Sequence, residues 1–334
     1  MKKIGKIALV ALTAFTIVLA SCENSGNSDK TCNHTWENAV CTICGMGAGV
    51  IDATAMSAEG LGIAVRESFA LGATQLIITL PEEPGDDRYK AIRRALIETE
   101  SVEDGSINLT LKGAKSIGND AFAYHADGNN EYVKELKSVT LADATTIKKY
   151  AFYFCPNLES VYAPNVTEIE FCVFTVCKKL KDIYLPNAKS IGHSTFDGCG
   201  ALEEITLPEL VRLEEAQFMN CESLRVVNLP KVTSILEMAL SQCHSLEKIT
   251  FGTPIMRCSD PFVFHGSSEM ENEFLVEVLR RIDLVLSSEQ TEMVKIREAD
   301  ERNPAEWEGS HEPFRFGSSR TFIGYEFNSI TIAE

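Results

Sequence analysis

Basic residues are scarce in this sequence. Its 31 Lys and Arg are outnumbered by 48 Asp and Glu, which gives the 334-residue chain a formal net charge of -17. Binding along a nucleic-acid backbone needs a basic surface, so this balance argues against a nucleic-acid partner. No apolar run reaches the roughly 20 residues of a membrane-spanning helix, and 11 Cys are too few for a small disulfide-stapled domain. An apolar content of 45% indicates a globular chain with a sizeable core.

The first residues combine positive charge with a short apolar segment. Three Lys precede the stretch 7–20, which is apolar apart from two Thr, and this is the pattern of a cleaved secretory signal. The segment ends in Leu-Ala-Ser-Cys at 19–22 and resembles a bacterial lipobox, in which the Cys is lipidated. We therefore predict a signal peptide at 1–21, lipidation of Cys22 and a polar tether at 22–31.

The residue after the lipobox bears on location. Glu23 follows Cys22, where an Asp would favour retention at the inner membrane of well-studied bacteria. Two or more acyl chains hold a protein stably on a membrane, since each buried CH2 contributes about 0.8 kcal/mol. The sequence thus predicts an exported protein with a lipid anchor in the membrane, placed at the outer membrane or cell surface.

A short stretch at 32–50 contains clustered Cys and His residues. Cys41 and Cys44 are separated by two residues, so both thiolates can turn back on one metal ion, and Cys32 with His34 would complete a tetrahedral zinc site. The Cys-x-His half is the weaker signal, and disulfides or unpaired thiols are the alternatives. In each case the role is structural, because so short a segment cannot bury a core of its own.

Internal periodicity is the strongest pattern in the chain. A segment that begins with Leu recurs every 22 residues from Leu136 to Leu246, and Ile, Phe, Cys and Pro recur at the same interval. The first half of each unit alternates in polarity, which predicts a short strand, and the second half predicts a turn. Such a unit cannot close its own core, so neighbouring units must stack on one another.

These units resemble the BspA-like leucine-rich repeats of surface proteins from host-associated bacteria. The resemblance covers residues 107–252 closely. It implies a leucine-rich-repeat right-handed solenoid with 22-residue coils, α/β to mainly β in class. It also implies adhesion-type binding, which is the role of some family members.

The regions that flank the repeats carry elements of their own. Upstream, 51–106 combines strand-like segments with two helical patterns, one at about 61–71 and one capped by Asp86 or Asp87. This combination predicts an α/β N-terminal cap. Downstream, 253–334 contains a helix-capping box and two strand-like segments, which predicts an α+β C-terminal cap.

One Cys recurs at a fixed place in each unit. A column of Cys suggests metal or redox chemistry, but a residue at the same phase of every coil is better explained as a small apolar side chain of the core. Side chains that point the same way cannot adopt a disulfide torsion. We therefore predict free thiols at Cys155, Cys177, Cys199, Cys221 and Cys243.

An insertion interrupts the repeats once. Phe122 and Phe152 are 30 residues apart, eight more than the repeat interval. The extra residues lie near 125–135, where Gly and Asn predict a projecting loop. Insertions of this kind often lie on the binding face of a solenoid.

Each repeat strand places one residue between two inward apolar positions, and this residue points out of the core. With strands about 4.8 Å apart, Tyr162 and Tyr184 should stand side by side. Exposed Tyr is enriched at binding hot spots and stacks on sugars, although aromatic pairs also stabilise sheets without any binding role. The predicted binding face comprises Ser138, Thr140, Ser160, Tyr162, Asp182, Tyr184, Glu204, Thr206 and Asn228.

The sequence lacks the common catalytic and nucleotide-binding motifs, among them G-x-S-x-G, H-E-x-x-H and the P-loop. We therefore predict a non-catalytic protein with no catalytic cofactor. We also expect a monomer. Two functions compete. The first is recognition of a host protein or a glycan, and the second is a structural or scaffolding role with a partner in the bacterial envelope.

The zinc hypothesis predicts a metal content. Full-length protein purified without chelator should carry about one zinc ion per chain, because four ligands saturate a structural site. Elemental mass spectrometry measures this content, and the double variant Cys41→Ser, Cys44→Ser is the control that should lose the metal. A zinc content near zero in the unmodified protein would favour disulfides or unpaired thiols instead.

Overall fold

The computed structural model describes residues 36–37, 40–41, 49–126, 129–252, 257–258, 283–286, 321–322, 325–326 and 329–332. Within them, two helices are followed by short parallel strands at regular intervals. The strands form stacked coils, which give a repeat solenoid with one continuous core. The predicted signal peptide, Cys22 and the tether lie outside the described residues, as do Cys32, His34 and Cys44.

Both described helices lie at the N-terminal end of the solenoid. Helix α1 spans Ala58–Ala70 and helix α2 spans Asp86–Glu98. The strand Val50–Asp52 precedes α1, and the strand Gln75–Thr79 lies between the helices and pairs in parallel with Ile107–Lys112. The buried apolar residues of both helices join the core of the repeats. The first coil is therefore not left with an exposed apolar end.

The helix starts differ from the sequence-based expectation. The Oγ of Ser57 caps α1 by accepting a hydrogen bond from the N–H of Gly60 at 3.1 Å, so α1 begins before residue 61. Helix α2 follows Gly85, whose φ of 76° lies in the left-handed region. The two Asp predicted as caps are instead the first residues of α2, where their charge favours the positive end of the helix dipole.

The strand that follows the repeated Leu builds a ladder, and we call its members the front strands. Parallel pairing sets equivalent residues of successive coils side by side, so that Val139, Val161 and Ile183 align. The front strands are Ile107–Lys112, Leu136–Leu141, Ser160–Tyr162, Asp182–Tyr184, Glu204–Thr206, Val226–Leu229 and Lys248–Phe251. The predicted repeat strands are thus confirmed.

A second ladder of two-residue strands, the side strands, lies further along each coil. Parallel pairing aligns their apolar residues as well, with Ile147, Ile169 and Ile191 in one buried column. The side strands are Ser116–Ile117, Thr146–Ile147, Glu168–Ile169, Ser190–Ile191, Arg212–Leu213, Ser234–Ile235 and Arg257–Cys258.

The front ladder continues beyond the repeats. Asp283–Leu286 and Ser329–Ile332 extend it in parallel, and they confirm the strands predicted in this region. Short antiparallel pairs lie near the two ends of the described chain: Trp36–Glu37 with Val40–Cys41, and Thr321–Phe322 with Tyr325–Glu326. Neither α1 nor α2 has the length and apolar character needed to cross a membrane, and the described residues contain no other candidate span.

The insertion near 125–135 is a β-hairpin and not the predicted loop. Its strands, Ala123–Ala126 and Asn129–Tyr132, pair antiparallel. The ring of Tyr132 packs 4.3 Å from the ring of Phe154, measured between centroids. Gly and Asn favour loops but also the tight turns of hairpins, so composition alone did not separate the two structures.

Stacked Phe rings run through the centre of the repeats. The distances between successive ring centroids are 5.0, 5.6, 5.8 and 5.2 Å along the series Phe122, Phe152, Phe174, Phe196 and Phe218. All these rings are fully buried. Each aromatic pair contributes about 0.5–1.5 kcal/mol beyond the burial of its area, so the column joins the coils to one another.

The Cys column lies beside the Phe column, and its members are buried thiols. The Sγ of Cys199 lies 3.2 Å from the carbonyl oxygen of Phe174 in the preceding coil, and Cys177, Cys221 and Cys243 make the same contact at 3.0–3.1 Å. Each thiol donates a weak hydrogen bond between coils. Burial raises the pKa of Cys177 and of Cys243 to about 12, so these thiols are structural and unreactive.

The buried thiols predict a loss of stability at alkaline pH. A thiol in the unfolded chain ionises near pH 8.5, whereas the raised pKa of Cys177 and Cys243 keeps them protonated to about pH 12 in the folded state. The folded state then binds more protons than the unfolded state. Their contribution to stability is complete below about pH 8.5 and is lost as the pH rises toward 12.

Thermal melting between about pH 7 and pH 11 measures this effect as a falling Tm. The double variant Cys177→Val, Cys243→Val should lose Tm less steeply over the same range, because two of the titrating thiols are absent. Equal slopes for the two proteins would show that these thiols do not carry the alkaline transition.

Candidate binding face

Parallel pairing arranges the predicted binding-face residues in rows across the front strands. One sheet aligns Ser138 with Ser160 and Asp182, and Thr140 with Tyr162 and Tyr184. A second sheet aligns Glu204 with Val226 and Lys248, and Thr206 with Asn228 and Thr250. The predicted order along the face is therefore present, but it is divided between two sheets.

Tyr162 and Tyr184 form an aromatic pair at the middle of this face. Their ring centroids are 5.0 Å apart and their planes differ by 5°. The two residues are 49% and 50% exposed, which is far more than a core aromatic residue. The prediction that the two rings lie side by side is confirmed. About half of each residue is accessible to a ligand.

Exposure is uneven along the predicted face. Ser138, Thr140, Ser160 and Asn228 are half-buried, whereas Tyr162, Asp182, Tyr184, Glu204 and Thr206 are exposed. The hydroxyl of Ser138 donates to Oδ1 of Asn108 at 2.5 Å, so this polar group is already used within the sheet. The accessible part of the face is thus confined to the coils around the Tyr pair.

A gap, which we call the seam, divides the two sheets of front strands. It lies between Asp182–Tyr184 and Glu204–Thr206, which are adjacent along the solenoid but do not pair. Most of the Cα atoms of one strand are more than 8 Å from those of the other, whereas paired strands lie about 4.8 Å apart. Ile183 is half-buried, although its counterparts Val161 and Ile205 are buried. The seam therefore uncovers part of the core.

Missing backbone hydrogen bonds mark the two edges of the seam. In the preceding coil, the N–H of Ala163 donates to the carbonyl of Tyr184 at 3.0 Å. Leu185 makes no equivalent bond to the carbonyl of Thr206 within the described residues, and Glu203 lacks the bond to the preceding coil that its counterparts make. Both edges thus keep backbone donors and acceptors that the rest of the front ladder uses.

The two coils stay joined on the side where the Phe and Cys columns lie. There, the N–H groups of Ser194, Phe196 and Gly198 donate to the carbonyls of Glu215, Gln217 and Met219 at 2.8–3.0 Å. The side strands Ser190–Ile191 and Arg212–Leu213 remain near each other without pairing. The seam is therefore a wedge that opens toward the binding face.

We attribute the break to Gln217, which is fully buried at the place of Thr195 in the preceding coil. Its Oε1 accepts a hydrogen bond from the N–H of Glu214 at 2.8 Å. The equivalent N–H one coil earlier, that of Gly192, instead donates to the carbonyl of Ile169 in the preceding coil. Gln217 thus takes a donor that would otherwise join the coils, and its Nε2 has no partner within the described residues.

A cleft of about 570 Å³ runs along the seam. It is lined by Tyr162 and Tyr184, by Ile183, and by the carboxylates of Asp182, Glu203 and Glu204, among others. None of these carboxylates forms an ion pair within the described part of the chain. The cleft therefore combines aromatic and apolar surface with three carboxylates and one ammonium group, that of Lys181.

A second aromatic surface was not predicted from the sequence. The exposed His193 stacks on Phe171 with ring centroids 4.9 Å apart, and the Nζ of Lys149 lies 5.9 Å from the Phe171 ring. Tyr150 contacts the same ring edge-on at 5.3 Å. Lys149, Phe171 and His193 are spaced at the repeat interval, which is the signal that could have revealed this column.

The predicted zinc site falls largely outside the described residues. Cys41 ends the strand Val40–Cys41, and the other three candidate ligands are not described. Within the described residues, no three His, Cys, Asp or Glu side chains are grouped so that they could hold a metal ion. The zinc site therefore stays a prediction.

Comparison with known families identifies the repeats. The model of the BspA type leucine rich repeat region matches residues 100–212 and 145–271, with six copies. These matches contain the whole region in which the sequence predicted repeats. No curated protein matches the chain significantly.

Several solved structures resemble part of the chain. A leucine rich cell surface protein from Faecalibacterium prausnitzii is 27% identical, with a TM-score of 0.36 over 42% of this chain and 44% of its own. A leucine-rich repeat protein from Bacteroides ovatus is 22% identical, with a TM-score of 0.38 over 51% and 46%. The leucine rich repeat protein of T. pallidum is 19% identical, with a TM-score of 0.36 over 52% and 84%. The chain thus spans less than half the length of the first two.

The role of Gln217 predicts that a shorter side chain closes the seam. Gln217→Thr copies the preceding coil, removes a buried amide nitrogen that has no partner within the described residues, and frees the N–H of Glu214 to join the coils. We expect a gain of about 1 kcal/mol in the free energy of unfolding, seen as a rise of a few degrees in Tm. Hydrogen exchange of the Leu185 amide should slow in the variant.

The matched control is Val173→Thr, at the equivalent place in a coil whose front strand, Ser160–Tyr162, pairs on both sides. It should leave exchange at Leu185 unchanged. If Gln217→Thr lowers the Tm and leaves Leu185 exchanging as before, then Gln217 fills the wedge without causing it.

Proposed function

The chain belongs to the BspA-type leucine-rich-repeat family, and from this premise we propose that it is a non-catalytic recognition module displayed on the bacterial surface. Its ligand is a segment of a host protein, bound on the front strands around Tyr162 and Tyr184. Repeat proteins of this kind hold the fold constant and vary the exposed positions. The exposed positions therefore carry the argument for function.

One observation carries the proposal, namely the half-exposed Tyr pair beside an acidic cleft. Tyr offers a broad apolar surface with a polar tip and few rotatable bonds, which makes it a frequent anchor in protein interfaces. Here, two such rings stand together at 5.0 Å on an open face. A pair that served the sheet alone would gain nothing from the carboxylates of Asp182, Glu203 and Glu204 beside it.

A protein ligand suits this face better than a glycan does. Both can stack on Tyr rings, but the seam adds backbone donors and acceptors near Leu185 and Thr206. Such groups match the hydrogen-bonding pattern of an extended peptide chain. The acidic charge of the cleft adds a preference for basic side chains over neutral sugars.

The display of this module at the surface is part of the proposal. The signal-like segment at 1–21 and the lipobox at 19–22 support export and a lipid anchor at Cys22. We infer that the polar tether at 22–31 then holds the solenoid clear of the outer membrane. The strand register at intervals of 22 residues supports the proposed coil length, and α1 and α2 support the proposed N-terminal cap.

An array of purified host matrix proteins and glycans tests the proposed function. We expect the full chain to be captured by at least one protein spot, because the exposed face is built for a polypeptide ligand. The double variant Tyr162→Ser, Tyr184→Ser should lose capture by about tenfold or more. Its Tm should fall by only a few degrees, since the stacked pair contributes about 0.5–1.5 kcal/mol.

Thr250→Ser is the matched control, because Thr250 lies outside the predicted binding face, on a front strand that is paired on both sides. It should bind as the unmodified protein does. Capture by glycans alone would replace the protein ligand with a sugar. Cross-linking only to bacterial envelope proteins, with no host capture, would overturn the proposal in favour of a scaffolding role.

A further inference from the structure

The seam has the form of an unfilled strand position. We propose that an extended, basic segment of the partner protein inserts between Asp182–Tyr184 and Glu204–Thr206 and pairs with both edges as an added β-strand. This inference rests on the proposed function, because the seam lies within the same binding face. It names how the partner binds and what its bound segment looks like.

The width of the opening is the first support. Paired neighbouring strands lie about 4.8 Å apart, whereas most pairs of Cα atoms across the seam are more than 8 Å apart. The wedge is widest at the binding face, since the coils remain hydrogen-bonded at Phe196 and Gly198 on the far side. An incoming strand therefore enters from the face, where the two edges are already separated.

The hydrogen-bonding capacity of the edges is the second support. Two backbone bonds that equivalent residues make are missing across the seam. One would join the N–H of Leu185 to the carbonyl of Thr206, and the other would join the N–H of Glu203 to the carbonyl of Lys181. Each edge thus offers both a donor and an acceptor. Unpaired strand edges readily accept another chain, and the bonds to the peptide backbone supply affinity in strand addition.

The side chains at the seam define the partner. Side chains of a strand alternate between its two faces, so the inserted segment would point every second residue at the half-buried Ile183. The other residues would point outward beside Tyr184 and the carboxylates of Asp182 and Glu204. The fitting sequence therefore alternates small apolar or β-branched residues with Lys or Arg.

The nearby cations leave this negative charge available. Lys181 lines the cleft, but its Nζ is 3.4 Å from a carboxylate oxygen of Glu159. Arg225 lies close enough to Glu203 and Glu204 for these carboxylates to raise its pKa. The main cause of the raised pKa is nevertheless Glu247, to which the guanidinium makes two hydrogen bonds of 2.9 Å. A basic segment would thus meet carboxylates that form no ion pair within the described residues.

The probe for this inference is a capped peptide of about eight residues that alternates Lys with Val. Calorimetric titration of the full chain should detect binding that weakens with salt. The same peptide with N-methyl groups on every second residue keeps its side chains but loses the donors of one edge. It should bind at least about tenfold more weakly, since each lost bond to the backbone weakens the complex.

Variants of the protein locate the site. Gln217→Thr, which is expected to close the seam, should abolish peptide binding, and Glu203→Gln with Glu204→Gln should weaken it. The control variant Thr250→Ser should bind normally, because Thr250 lies away from the seam on a front strand that is paired on both sides. Hydrogen exchange should show peptide-induced protection at Leu185 and at the strand 204–206, but not at 226–229.

Some results overturn the inference. Strand insertion would be excluded if the unmodified peptide does not bind or if Leu185 shows no protection from exchange. It would also be excluded if the N-methylated peptide binds as tightly as the unmodified one. Capture on the protein array together with a failed peptide test refutes the seam and leaves the proposed function intact. Peptide binding at the seam with no capture on the array keeps the insertion site and refutes the proposed host ligand.

Discussion

The stacked Phe rings set the spacing on which the rest of the solenoid depends. Their centroids lie 5.0–5.8 Å apart, close to the spacing of about 4.8 Å between paired parallel strands. One rise per coil therefore satisfies the aromatic contacts and the backbone ladders together. The Cys thiols donate to the carbonyls of these same Phe residues, so the second recurring column reinforces the first.

The same column explains why the seam opens on one side only. The contact between Phe196 and Phe218, at 5.2 Å, is as close as elsewhere in the stack. The coils are thus held together along the aromatic side. Where the hydrogen bonds are missing, on the front strands, the coils separate and form a wedge. A buried Gln that withdraws one backbone donor can in this way alter a surface on the other side of the coil.

Open strand edges are a hazard as well as an opportunity, because they invite pairing between copies of the same chain. Asp182, Glu203 and Glu204 place like charges beside both edges. Two seams that approached each other would bring these carboxylates together, which opposes self-association. The same charges favour a basic partner, so one set of residues provides both protection and selectivity.

The sequence by itself determined the coils, the alignment of Tyr162 with Tyr184, and the buried Phe and Cys columns, because a strict repeat forces equivalent residues into register. It did not determine the hairpin at the insertion, nor the left-handed backbone at Tyr150 and its counterparts, none of which is Gly. The seam was decided only by tertiary structure. The side-chain amide of Gln217 accepts the N–H of Glu214, whereas the equivalent N–H one coil earlier donates to the neighbouring coil. The seam thus arises because a side chain and a neighbouring backbone carbonyl compete for one N–H group. Such competition exists only once the coils are stacked.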